Sequence, residues 1–151
     1  RDRSPSRGLG DVYKRQIPTL IAMPYVALVK NKTVCRTDDI EVLGVYEDIT
    51  EWDITQFART HSPLKIATTY DSLPRVVSAL QSIGIDPYKE LFLLVDEWHV
   101  LFNSYSFRHR AIRELLATAA RFDRATYMTA TPIEREYMLE ELRHLPTCEI
   151  D

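Results

Sequence analysis

Asp96 and Glu97 close the run of five apolar residues in "LFLLVDEWHVLF" (91–102). An unbroken apolar run reads as a strand buried on both faces of a sheet. Charges at its end need compensation, because a sheet interior gives them no water. In open parallel α/β sheets, ligands bind beyond the carboxyl ends of the strands. The chemistry that fits adjacent acids there is magnesium-assisted phosphate hydrolysis. One carboxylate holds Mg²⁺, largely through water, and the other orients or deprotonates the attacking water. The plainer reading is that both acids only end a strand and open a helix, where the dipole favours negative charge. His99 follows closely, and "TATP" (129–132) begins 33 residues after Asp96.

The elements that must carry these residues alternate along the chain. The expected strands are 17–24, 40–46, 64–70, 91–95 and 125–130, and the expected helices are 25–32, 50–59, 73–83 and 107–122. Trp52, Ile54 and Phe57 are read as the inward residues of the second helix. Val76, Val77, Leu80 and Ile83 share a face of the third, with Pro74 in its first turn and Gly84 just past its end. Asp86 and Pro87 mark a loop. Ile112, Leu115, Leu116 and Ala119 form the stripe of the fourth. Thr131, Pro132 and Glu134 suit the start of a further helix, with Thr131 as its cap. Strand–helix alternation implies an α/β fold, with a parallel sheet covered by helices on both faces.

The chain has 151 residues, 45% apolar and 27% charged, a balance that excludes a disordered chain and suits one domain with a core. No apolar run is long enough for a membrane span, and no signal-peptide pattern opens the sequence. Cys35 and Cys148 show no metal spacing, so a reduced, cytoplasmic protein is expected. The net charge of −3 hides an uneven distribution, since residues 1–16 hold five basic and two acidic groups. That head, "RDRSPSRGLGDVYKRQ", is similar to translated adaptor sequence at the ends of assembled reading frames. The alternative is a natural basic, disordered arm. Residues 17–151 are then expected to be an internal piece of a longer protein.

Together these motifs carry a resemblance. Apolar residues followed by Asp-Glu form the Walker B pattern, and "VDEWH" (95–99) resembles the D-E-x-H box of superfamily 2 helicases and translocases. "TATP" is similar to their motif III, "TLIAMPYVALVKNK" (19–32) to motif Ia, and "IATTYDSL" (66–73) stands where motif Ib is expected. The resemblance implies a partial RecA-like ATP-binding domain over 17–151. It implies ATP and Mg²⁺ as cofactors, with Asp96 serving Mg²⁺ through water and Glu97 as general base. His99 would couple the site to motif III or to a second RecA-like domain, and Thr129, Ala130 and Thr131 would relay nucleotide state. Pro24, Tyr25, Thr68, Thr69 and Tyr70 would lie against a DNA or RNA backbone.

Each assignment has a plainer counterpart. His99 can cap or pack, Trp98 reads as a packing residue, and Tyr25 and Tyr70 suit a core edge as well as a nucleic-acid contact. Arg108, His109, Arg110 and Arg113 read as a solvated helix face.

A G-x-x-x-x-G-K-[ST] loop is absent, and no glycine precedes a lysine. Without it nothing cradles the β- and γ-phosphates. In the family that loop and its strand precede motif Ia, and the strand lies beside motif III. The expectation is therefore a RecA-like sheet lacking the phosphate-loop strand, inactive alone and poorly soluble through an open strand edge at 125–129. Two other readings stand. One is a non-catalytic, degenerate RecA-like nucleic-acid-binding module. The other is a different magnesium enzyme with strand-end acids, such as a nuclease or phosphatase, which leaves "TATP" unexplained.

Overall fold

The computed structural model describes residues 17–34, 41–98 and 109–129. In chain order the elements are β1 (Thr19–Met23), α1 (Val26–Val34), β2 (Leu43–Val45), α2 (Glu51–Thr60), β3 (Lys65–Thr69), α3 (Leu73–Ser82), α4 (Pro87–Glu90), β4 (Phe92–Val95), α5 (His109–Ala120) and β5 (Ala125–Tyr127). The five strands form one sheet in the order β2-β3-β1-β4-β5, and every neighbouring pair is parallel. The α/β class and the all-parallel sheet are as the sequence predicts, and the arrangement is consistent with a RecA-like fold. The helix expected from Thr131 lies outside the described residues.

Alternation along the strands builds two cores. Leu20 and Ala22 of β1 face the larger one, shared with Ile54, Phe57, Val76, Leu80, Ile112 and Leu116. Ile21 and Met23 face the smaller one, shared with Val29 of α1, Ala67 and Leu94. The helices divide between the faces for a topological reason. The connection from β1 to β2 runs one way along the sheet, whereas those from β2 to β3, β3 to β4 and β4 to β5 run the other way. Crossovers of one hand put oppositely directed connections on opposite faces. So α1 covers one face and α2, α3 and α5 the other.

Local signals explain the helix ends. Thr50 caps α2: its hydroxyl accepts from the Asp53 N–H (3.3 Å), and its own N–H donates to the Asp53 carboxylate (2.9 Å). The Thr50 N–H, and the Thr50 hydroxyl that also donates to that carboxylate (2.9 Å), hold the Asp53 carboxyl below the usual range. Ile54 and Phe57 are buried as expected, but Trp52 is 68% exposed. Two residues span about 200° of helix, so Trp52 and Ile54 cannot share a face. The expected loop at Asp86–Pro87 is a capped turn, with Asp86 accepting from the Tyr88 N–H (3.1 Å) and opening α4.

Gly84 has φ +83 just past α3, the left-handed position that ends helices. Gly84→Ala meets no steric contact there, so its effect is backbone strain alone. The expected outcome is a loss of about 1 kcal/mol, measured as a lower urea midpoint at unchanged slope.

Candidate functional site

The carboxyl ends of all five strands meet at one rim, because the sheet is wholly parallel. β1 and β4 are neighbours in the sheet, yet the connections that follow them leave in opposite directions. This makes their junction the topological switch point, where open α/β sheets hold ligands. Pro24 and Tyr25 follow β1 there, and Asp96 and Glu97 follow β4.

The backbone at the acid pair departs from a regular strand. Val95 pairs with Tyr127, and its carbonyl accepts from the Met128 N–H (2.8 Å). In an unbroken parallel ladder the Glu97 N–H would next reach the Met128 carbonyl. Instead Trp98 donates to it (3.0 Å), and the Glu97 N–H turns to the Asp96 Oδ1 (2.9 Å). One extra residue has entered the β4 side, as in a β-bulge, a device that re-aims side chains beside active sites. Glu97 absorbs it at φ 55, a left-handed conformation that costs a non-glycine residue about 1–2 kcal/mol. The slip also turns Trp98 over. Strict alternation would put Trp98 with Leu94 in the smaller core, but it is buried with Val95 in the larger one. The packing reading of Trp98 agrees with this position.

Asp96 and Glu97 are both half-buried. The Asp96 N–H donates to the Ala22 carbonyl (2.9 Å), and its own carbonyl accepts from the Tyr70 hydroxyl (2.5 Å). Its Oδ2 carries no hydrogen bond from the described residues, so that oxygen is open to a hydrated cation. Among the described residues no cluster of three or more His, Cys, Asp or Glu is poised for a metal. Mg²⁺ bound through water and nucleotide phosphates needs only one or two carboxylates, so Asp96 fits that mode. Thr129 leaves the sheet directly after Met128, at the rim that carries the acid pair. His99, Ala130 and Thr131 lie outside the described residues.

The residues expected to grip nucleic acid are distributed differently. Tyr25 is 55% exposed, but Pro24 is buried, and Thr68, Thr69 and Tyr70 are 0%, 7% and 7% exposed. β3 lies between β2 and β1, and its end is covered by the loop that enters α3. The Thr68 hydroxyl donates to the Thr69 carbonyl (3.1 Å), and that of Tyr70 to Asp96. In this conformation the Thr68 and Tyr70 hydroxyls are engaged by backbone carbonyls, and of these five residues Tyr25 alone is exposed. The rim loop between β2 and α2 exposes Glu47 and Asp48, and the first residue of α2 exposes Glu51; Arg75 beneath the loop is turned onto the carbonyls of Tyr46 (3.2 Å) and Ile49 (2.6 Å). In the expected basic cluster, Arg110 pairs with Glu114 (3.2 Å) on an exposed face of α5, as the solvated-face reading requires.

Beside Tyr70 a cavity of about 60 Å³ lies between the β3–α3 loop and α5. It is too small for a nucleotide, whose pockets run to roughly 300–1,000 Å³. No signal in the sequence marked the left-handed backbone of Glu97 or the contact of Tyr70 with Asp96. Both depend on strands that are distant in sequence. Comparison with protein-family models and with curated proteins gives no match for this chain. No helix among the described residues is long and apolar enough to cross a membrane.

Proposed function

We propose that this chain carries the acid-pair side of a magnesium–ATP site in a nucleic-acid helicase or translocase of the superfamily 2 type. The observation that supports it most is the slipped, strained backbone at Asp96–Glu97, lying at the switch point and beside the end of β5. Strain of this kind persists only where the surroundings over-determine it, and it clusters at active sites.

In this reading the half-buried Asp96 keeps one carboxylate oxygen for hydrated Mg²⁺ and commits the other to the Glu97 N–H. Bound Mg²⁺ would neutralise charge developing on the transferred phosphoryl group. Glu97 orients the attacking water and takes its proton. Thr129 carries nucleotide state away along β5, with His99, Ala130 and Thr131 continuing the relay towards a second RecA-like domain. The DNA or RNA partner rests on the sequence resemblance and on Tyr25, an exposed aromatic that follows β1 at the rim. A cytoplasmic setting follows from the same reading.

The test uses the chain as its gene encodes it, with whatever sequence that gene places before Ile17. A glycine-rich G-K-[ST] segment there, with Mg²⁺-dependent ATP hydrolysis that rises on adding DNA or RNA and disappears in Asp96→Asn, is the expected result. Native upstream sequence without that segment, and no hydrolysis, would replace the motor with the non-catalytic binding module.

A further inference from the structure

Pro24 removes a hydrogen bond that the sheet would otherwise make to the acid pair. Along β1, backbone groups address β4 and β3 alternately. The Ala22 carbonyl accepts from the Asp96 N–H (2.9 Å), and the Met23 carbonyl accepts from the Tyr70 N–H (2.8 Å). The next residue to address β4 is residue 24. With Ala22 opposite Val95, its N–H is the group that would reach the Asp96 carbonyl. Proline has no N–H to give. A carbonyl left unpaired away from water is costly, and here it receives the Tyr70 hydroxyl instead, at 2.5 Å. Tyr70 is 7% exposed with its ring in the larger core, so the donor is held in place by packing.

We propose that Tyr70 is the positioning residue of the acid pair. Its hydroxyl stands in for the N–H that Pro24 lacks and holds the Asp96–Glu97 peptide in its slipped, left-handed geometry. A ladder N–H would tie that carbonyl rigidly to β1. A phenol from the start of the β3–α3 loop ties it to that loop, so a displacement of the loop re-aims both carboxylates. The consequence for catalysis rests on the motor reading, whereas the positioning of the peptide does not.

Amide hydrogen exchange at Glu97 and Trp98 tests the proposal in the 151-residue chain. Tyr70→Phe keeps the ring and removes the hydroxyl. It is expected to speed exchange at those two amides about tenfold, the upper value for one lost hydrogen bond, and to leave the β1–β3 amides unchanged. Adding Pro24→Ala returns a backbone N–H to the Asp96 carbonyl and is expected to restore the wild-type rates to within about twofold. Packing of the ring alone predicts no such rescue. If Tyr70→Phe lowers global stability instead, the rescue is read from urea midpoints, where recovery in the double variant supports the proposal. Unchanged exchange in Tyr70→Phe, or no recovery with Pro24→Ala by either measure, overturns it. Absence of ATP hydrolysis would leave these rates as expected, so failure of the motor reading and failure of the positioning role are distinguishable.

Discussion

On the proposed magnesium–ATP reading, Glu97→Gln is expected to lower the turnover of ATP by about 10²–10⁴-fold, the range for loss of a general base, in whichever form of the chain hydrolyses ATP. The amide keeps the size of the side chain and its place at φ 55 but cannot accept a proton. KM for ATP should stay within about threefold, because an interaction made only in the transition state is lost from kcat rather than from binding. Steady-state phosphate release at saturating Mg²⁺ gives both constants. A fall of less than about tenfold in kcat would remove Glu97 from the role of base. Glu97→Gly serves as a companion, since glycine takes φ 55 without strain. That variant should be as inactive as the glutamine variant yet about 1 kcal/mol more stable to urea. Opposite changes in activity and stability are the mark of strain kept for function.

The second large effect concerns pH and lies at the other end of the sheet. Lys65, the first residue of β3, is 1% exposed, and its ammonium donates to the Thr19 hydroxyl (3.1 Å) and to the Ile17 carbonyl. Burial pushes its pKa down from 10.5 to about 8. The unfolded chain therefore holds this proton more tightly than the folded one between about pH 8 and pH 10.5, and stability rises with pH wherever the unfolded state binds more protons. The contribution is fully present above pH 10.5 and is lost as pH falls through 8. Its full size is about 3 kcal/mol, because each pH unit between the unfolded and folded values is worth about 1.4 kcal/mol. Tyr127 opposes it at the top of the range. Burial raises that phenol from 10 to about 12, so its stabilising contribution is present below pH 10 and is lost between 10 and 12. Urea midpoints are thus expected to climb from pH 8 to pH 10, turn over near 10.5 and fall towards pH 12. Lys65→Met should abolish the climb, and a flat wild-type profile over that window would show that the folded state keeps the Lys65 proton.

Much of the fold was legible because its signals are local. Pro74 in the first turn and Gly84 just past the end bound α3. Ile112, Leu115, Leu116 and Ala119 lie three or four residues apart along the stripe and are all buried. The apolar run 91–95 is a strand within one residue, and the acids that follow it do emerge at the carboxyl rim. Trp52 shows the limit of the same reasoning. Its place in the first turn of α2 is set by the Thr50–Asp53 cap, which points it to solvent, while Ile54 and Phe57 alone set the inward face.

What the sequence determined by itself was the order of the five strands and of the helices between them apart from α4, the parallel α/β class they require, and the meeting of Asp96 and Glu97 with the end of a buried strand. Those follow from side-chain periodicity, caps and strand-end chemistry, all written within a few neighbouring residues. Only the tertiary structure decided that Glu97 is left-handed, that Trp98 turns into the larger core, that Lys65 is buried, and that Tyr70 faces Asp96 rather than solvent. Each of these depends on register between strands far apart in the chain. A shift of one residue across β4 and β5 changes which N–H meets which carbonyl, and nothing local to 95–98 fixes that register. Pro24 carries the same lesson: its missing N–H acquires a meaning only once β1 lies beside β4.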